Sequence, residues 1–123
     1  MPDGADAPAI VLCPAQEVVE GTARGFDLED EGQDSIFAVR IEGALKVWRN
    51  RCPHNDAPMA WRKDGYLNAE ATRIVCHAHG AEFLPQSGLC VQGPCLGDRL
   101  TAAPFEINEG GEICVRLKRS QGG

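Results

Sequence analysis

Two short motifs place cysteine and histidine close together in this 123-residue sequence. The first is Cys52-Pro53-His54, and the second is Cys76-His77-Ala78-His79-Gly80. Each motif offers a thiolate and an imidazole, the side chains that bind transition metals such as zinc and iron. With residues 55–75 between them they read C-x-H and C-x-x-H, and His77 is an additional histidine in the second motif. The pattern predicts that the two motifs share one metal centre.

Short strands and turns are the elements expected to position these motifs. The sequence is 43% hydrophobic and only 6% aromatic, and its 14 Gly and 8 Pro favour strands joined by turns. Compact turns at Glu42-Gly43-Ala44 and Gly110-Gly111 predict two hairpins. The segment Gln16–Gly21 fits either one helical turn or a loop. Apolar runs predict strands at Ile10–Cys13, Arg24–Leu28, Ser35–Ile41, Ala44–Arg49, Arg73–Cys76, Glu82–Leu84, Leu89–Val91, Phe105–Asn108 and Ile113–Leu117.

The strand pattern predicts a small, all-β, antiparallel domain. Both motifs then lie at strand-to-loop junctions, on long excursions at residues 52–72 and 76–100, and loops of that length usually carry function. We expect one domain over residues 9–118, with flexible ends at residues 1–8 and 119–123. A chain of this length has no room for a Rossmann or barrel enzyme.

Charge and hydropathy exclude two classes of partner. The chain has 12 Lys and Arg against 18 Asp and Glu, a net charge of −6, so we expect no nucleic-acid binding. No apolar run approaches the ~20 residues that span a bilayer. The N-terminus carries Asp3 and Asp6 and lacks the basic region of a signal peptide. These features predict a cytoplasmic protein with reduced thiols and no membrane contact.

The two motifs and their surroundings resemble those of Rieske [2Fe–2S] proteins. Ala57-Pro58-Met59 after the first motif and Gly80-Ala81-Glu82-Phe83 after the second are similar to that family. Gly93-Pro94 resembles the proline loop that covers a third side of the cluster. The resemblance runs roughly from Ile10 to Leu117. It implies the Rieske-like fold, with small stacked antiparallel β-sheets and two cluster-binding loops.

The resemblance also implies the cofactor and its ligands. One [2Fe–2S] cluster would be held by Cys52 and Cys76 on one iron and by His54 and His79 on the other. The family's spacing selects His79, and His77 is expected to be a partly exposed side chain. Neutral histidines in place of thiolates raise the reduction potential to about −150 to +300 mV, because fewer anions oppose the added electron.

Residues near the ligands imply a potential at the low end of that range. Rieske proteins of respiratory complexes carry a disulfide between their cluster loops, and the corresponding positions here are Ala57 and Ala78. High-potential members also have a Ser and a Tyr whose hydroxyls bind the cluster sulfurs, whereas this chain has Ala81 and Phe83. We therefore expect a potential below about +100 mV.

Four cysteines remain outside the implied ligand set. Cys13 and Cys114 fall in predicted strands and are expected to pack as small hydrophobic residues. Cys90 and Cys95 flank the proline loop, where reduced thiols are expected and a redox-active disulfide is the alternative. The acidic segment Asp27–Asp34 fits a solvated hairpin tip better than a docking surface for a basic partner.

The resemblance implies a Rieske-type ferredoxin, a one-electron carrier with no substrate chemistry of its own. Its implied partners are a flavin-dependent reductase and a terminal oxygenase. All three histidines lie in the two motifs, so a separate 2-His-1-carboxylate iron centre cannot be built. Two alternatives remain. The chain could be a small subunit of a larger reductase of the nitrite reductase type, or a zinc-stabilised interaction domain, although C-x-H is an unusual first half for a zinc finger.

Overall fold

The computed structural model describes residues 9–28, 30, 32, 34–51, 53, 65–76 and 80–116. Over these residues the chain forms β-strands and one short 3-10 helix, with no α-helix. The helix spans Ala15–Glu17. The strands are β1 (Ile10–Pro14), β2 (Thr22–Phe26), β3 (Ile36–Ile41), β4 (Ala44–Arg49), β5 (Ile74–Cys76), β6 (Ala81–Phe83), β7 (Cys90–Gln92), β8 (Phe105–Ile107) and β9 (Glu112–Val115).

The strands belong to two compact units. The terminal unit consists of the described residues of Met1–Glu17 and Ala103–Gly123, and the central unit is Val18–Ala102. In the terminal unit, three antiparallel strands pair in the order β1-β9-β8. The Asn108 side chain closes the β8–β9 hairpin by accepting hydrogen bonds from the backbone N–H of Gly110 and Glu112. Cys13 and Cys114 are both buried in this unit, as predicted.

The first sheet of the central unit has the order β2-β3-β4. Its middle strand is nearly inaccessible to solvent from Ile36 to Val39. The hairpin between β3 and β4 turns at Glu42 and Gly43, whose φ angles of 54° and 79° are the positive values that a type I′ turn requires. The Glu20 carboxylate accepts the backbone N–H groups of both turn residues, at 2.6 and 2.9 Å. The predicted hairpin is confirmed.

The second sheet of the central unit has the order β5-β6-β7. Residues of both its sheets share one hydrophobic cluster, which includes Phe37 and Trp48 from the first sheet and Ile74, Phe83 and Cys90 from the second. Each of its three strands has only three residues, and β5 ends at Cys76 in the second motif. The sheet is therefore the direct support of that site.

The predicted all-β class is confirmed, and the main difference lies in one strand. The expected strand Arg24–Leu28 begins and ends two residues earlier, at Thr22–Phe26. The pairing with β3 ends at Phe26 and Ile36, and Ser35 N–H donates to the Phe26 carbonyl just beyond it. Leu28 N–H then donates to the Ser35 hydroxyl rather than to a strand. No helix in the described part of the chain is long and apolar enough to span a bilayer.

Candidate metal centre

Cys76 is the one predicted ligand that lies among the described residues. Cys52, His54 and His79, together with His77, lie outside them. The structure therefore shows how the ends of the two ligand-bearing loops are held. We refer to residues 52–64 as the first loop and to residues 77–80 as the second loop.

The second loop connects β5 and β6, and the residues at its two ends are close together. Cys76 ends β5 and pairs with Ala81 at the start of β6. Gly80 N–H donates to the Cys76 carbonyl at 2.9 Å, and Gly80 has a φ of +75°, which favours glycine. The Cys76 side chain is fully buried. Cys76 belongs to the hydrophobic cluster of the central unit and lies directly before the second loop.

Asp34 is hydrogen-bonded to residues on both sides of the first loop. Asn50 follows β4 and donates from Nδ2 to the Asp34 backbone carbonyl at 2.9 Å. Tyr66 follows the loop and donates its hydroxyl to Asp34 Oδ2 at 2.8 Å. A methyl group at Gly25 would overlap the Asp34 carboxylate, so glycine there makes room for it. One acidic residue thus joins the two ends of the first loop.

Packing fixes the Tyr66 end of this arrangement. The Tyr66 side chain is 1% exposed, and its ring stacks on that of Phe37 with 4.1 Å between centroids and 6° between planes. Aromatic pairs of this kind add to the free energy gained by burying their area. The first described residues after the first loop are therefore anchored on the central strand β3.

The residues that follow the first loop pair with β5, which ends directly before the second loop. Val75 N–H donates to the Tyr66 carbonyl at 2.9 Å, and Leu67 forms an antiparallel bridge with Ile74. Continuing this antiparallel register places Gly65 opposite Cys76. Gly65, directly after the first loop, and Cys76, directly before the second, therefore lie side by side at one end of β5.

The segment Gly93–Asp98, which we call the proline loop, lies against the start of β6 at Ala81. Gly93 has a φ of +107°, and a Cβ atom there would be 2.6 Å from the Cα of Ala81. Ala81 is the register partner of Cys76. Backbone hydrogen bonds hold the loop in place, from Cys90 N–H to the Asp98 carbonyl and from Gly97 N–H to the Cys90 carbonyl. The backbone of the proline loop at Gly93 is thus close to the backbone of β6 at Ala81, beside the predicted ligand Cys76.

This arrangement fits a buried cluster with mixed thiolate and imidazole ligands. Cys76 supplies a buried thiol among apolar neighbours, and Ala81 and Phe83 on β6 are also fully buried. Neither of these two side chains has a hydroxyl that could bind a cluster sulfur. Within the described residues no group of three or more His, Cys, Asp or Glu side chains forms another metal site. The donor set expected from the two motifs, Cys52, His54, Cys76 and His79, stays a prediction.

Comparison with known proteins identifies the class. The sequence matches the Rieske [2Fe–2S] domain family over residues 9–106. This chain belongs to the Rieske [2Fe–2S] domain family, whose cofactor is a [2Fe–2S] cluster. The predicted family and cofactor are confirmed, and no curated protein sequence matches significantly.

Solved structures share the fold at low sequence identity. The ferredoxin of carbazole 1,9a-dioxygenase from Nocardioides aromaticivorans IC177 is 22% identical, with a TM-score of 0.65 over 91% of this chain and 100% of that chain. A Sphingomonas yanoikuyae B1 ferredoxin is 23% identical, with a TM-score of 0.66 over 90% and 100%. A chain from the complex of reduced oxygenase and oxidized ferredoxin in carbazole 1,9a-dioxygenase is 22% identical, with a TM-score of 0.64 over 88% and 92%.

The sequence did not reveal the residues that hold the first loop. Asp34 was expected in a solvated acidic segment, yet its side chain contacts the buried Tyr66. The one signal available was Tyr66 itself, the only tyrosine in the chain, placed just after the first loop. A buried tyrosine usually needs a hydrogen-bond partner, but sequence alone does not name that partner.

Proposed function

We propose that this protein is a Rieske-type ferredoxin that carries one electron at a time between larger redox proteins. The observation that carries the proposal is that residues flanking the first and second loops and the proline loop lie together at β5 and β6 in a Rieske-family chain. The chain also spans the whole length of two solved ferredoxins. The proposal treats residues 9–118 as one Rieske domain, because the family match runs through residues 9–106.

The proposed ligands are Cys52 and Cys76 for one iron and His54 and His79 for the other. The cluster supplies a one-electron redox couple when bound. The chain's own contribution is to hold the ligands rigidly and to exclude water from the Cys76 side. Hydrogen bonds at both ends of the first loop and the turn at Gly80 serve the first purpose. Burial of Ala81 and Phe83 serves the second.

The proposed electron acceptor is a terminal oxygenase, and the proposed donor is a flavin-dependent reductase. A solved complex of oxygenase and ferredoxin in carbazole 1,9a-dioxygenase supports the first assignment. The second follows from the resemblance to ferredoxins of such systems. Carriers of this kind bind their partners weakly, through interfaces below about 1,200 Å². We propose the cytoplasm for this transfer, because the described cysteines are free thiols, as is usual in a reducing compartment.

Elemental analysis and visible absorption of the purified protein test the cofactor assignment. The proposal expects two iron and two acid-labile sulfide atoms per chain and a red-brown colour. A colourless protein containing zinc would support the zinc-stabilised alternative instead. Reduction of the coloured protein by a flavin-dependent reductase, followed by reoxidation by an oxygenase, would test its role as a carrier.

Two histidine variants distinguish the proposed ligand from its neighbour. We expect His79→Cys to lower the reduction potential by on the order of 100 mV, because an added thiolate makes reduction less favourable. We expect His77→Ala to keep the cluster and its potential. Protein-film voltammetry would measure both values. Loss of the cluster in His77→Ala would show that His77, not His79, is the ligand.

A further inference from the structure

Two buried cysteines of the central unit lie outside the proposed ligand set. Cys90 begins β7 and Cys95 lies in the proline loop, and their exposed fractions are 1% and 2%. Cys95 Sγ donates a hydrogen bond to Cys90 Sγ across 3.1 Å. That separation is shorter than the about 3.5–4.0 Å of an ordinary carbon–carbon contact, although sulfur is the larger atom. The two thiols are therefore in direct contact.

Backbone hydrogen bonds hold Cys90 and Cys95 close together. Cys90 N–H donates to the Asp98 carbonyl at 2.8 Å, and Gly97 N–H donates to the Cys90 carbonyl at 3.1 Å. Asp98 N–H in turn donates to the Cys95 carbonyl at 2.8 Å. These bonds fold the proline loop back on the first residue of β7. The two sulfur atoms thus face each other because of the loop's own geometry.

We propose that Cys90 and Cys95 form a redox-active thiol pair, which a hydroperoxide oxidises to a disulfide that fastens the proline loop to β7. One thiol, as its thiolate, attacks the O–O bond of hydrogen peroxide and becomes a sulfenic acid, and the first water leaves. The other thiol attacks that sulfur, an S–S bond forms, and the second water leaves. Two thiols and one peroxide thus give one disulfide and two waters.

The contact between the two thiols favours oxidation to a disulfide, which a single buried thiol would not undergo. A buried lone thiol packs as a small hydrophobic residue and is inert. Here the second thiol is already in contact, which gives it a high effective concentration toward the sulfenic acid. Closing the Sγ–Sγ separation from 3.1 Å to the about 2.05 Å of a disulfide needs only a small side-chain shift. Hydrogen peroxide is small and uncharged, which suits a buried site.

The pair also lies next to the proposed metal centre. Cys90 pairs with Phe83 on β6, and the proline loop contacts Ala81 through Gly93. Ala81 is the register partner of Cys76. A disulfide would therefore reduce the freedom of the loop that lies over β6. The inference goes beyond the proposed function and does not depend on electron transfer by the protein.

Mass spectrometry of the full-length protein with its cofactor tests the proposal. The protein is treated with a stoichiometric amount of hydrogen peroxide, denatured, alkylated and cleaved with trypsin and a glutamyl protease. Cleavage after Glu82 and Arg99 yields the peptide 83–99, whose two cysteines are Cys90 and Cys95. We expect this peptide to lose two hydrogens and to carry no alkyl group. Dithiothreitol before alkylation should restore two alkyl groups.

Two variants and one spectrum complete the test. In Cys95→Ser the peptide should keep one alkylated cysteine after peroxide, whereas Cys114→Ser, altered in the terminal unit, should form the disulfide as the parent does. The absorption spectrum of each sample reports separately whether the cluster is bound. Recovery of peptide 83–99 with two alkyl groups after peroxide would overturn the proposal. A disulfide from either cysteine to Cys76 would overturn it as well.

Discussion

Asp34 forms hydrogen bonds with one residue before and one residue after the first loop. Its backbone carbonyl accepts from Asn50, and its carboxylate accepts from the buried Tyr66. Two hydrogen bonds from one residue reduce the relative motion of those ends. The proposed ligands Cys52 and His54 follow Asn50 in the sequence by two and four residues, so we infer that Asp34 is a positioning residue for the proposed centre.

Removing the Tyr66 hydroxyl should therefore weaken the fold and the retention of the cluster together. We expect Tyr66→Phe to lower the free energy of unfolding by about 1–3 kcal/mol, because it leaves the Asp34 carboxylate without this donor. We also expect faster cluster loss to an iron chelator. Urea denaturation and the decay of the visible absorption measure the two effects.

A double-mutant cycle supplies the control for that prediction. In an Asp34→Ala background the acceptor is already gone, so Tyr66→Phe should cost less than about 0.5 kcal/mol. Equal costs in both backgrounds would mean that the Tyr66–Asp34 bond contributes nothing to stability.

The elements that support the site differ in how well the sequence predicted them. Apolar runs and the Glu42-Gly43 turn were sufficient for β3 and β4, because such hairpins are local. β2 begins and ends two residues earlier than predicted, and beyond its end Leu28 N–H donates to the Ser35 hydroxyl, seven residues along the chain, instead of to a strand. The three-residue strands β5 to β7 were predicted within a residue or two.

The tertiary contacts around the site could not be predicted in the same way. The two motifs were sufficient to name a candidate ligand set, since the chemistry depends on residue type and spacing. The link from Asp34 to Tyr66 joins residues 32 positions apart, and no local pattern encodes it. The contact of Gly93 with Ala81 likewise depends on how the proline loop returns to β6.

The proline loop offers a matched pair of glycines for testing that contact. Both Gly93 and Gly97 have positive φ, at +107° and +93°, but only Gly93 faces a close neighbour. We expect Gly97→Ala to cost about 1–2 kcal/mol from backbone strain alone. Gly93→Ala should cost at least about 1 kcal/mol more, because its methyl group collides with Ala81.

Urea denaturation of the two variants measures this difference. Gly93→Ala should also lose its cluster faster than Gly97→Ala, since the collision occurs beside the register partner of Cys76. Equal stability and equal cluster lifetime would contradict the proposed position of the proline loop over β6.

For the whole molecule, the reduction potential determines with which redox partners the protein can exchange electrons. The buried strand β6 presents Ala81 and Phe83 where high-potential relatives have hydroxyl groups. A cluster with few hydrogen bonds to its sulfurs is harder to reduce, because the extra negative charge is less stabilised. A low potential suits delivery of electrons to an oxygenase rather than oxidation of quinol.

We therefore expect a midpoint potential below about +100 mV for the intact protein. Ala81→Ser, which adds a hydroxyl at the start of β6, should raise that potential. A spectroelectrochemical titration measures both proteins. An unchanged potential in a folded, cluster-containing Ala81→Ser variant would show that this position does not tune the cluster.

The most direct test of the central claim is electron paramagnetic resonance of the chemically reduced full-length protein, with quantification of the spin and of its coupling to nitrogen. We expect one unpaired electron per chain and magnetic coupling to two histidine nitrogens, from His54 and His79. A [2Fe–2S] signal without nitrogen coupling, or a protein that takes up no electron, would contradict it.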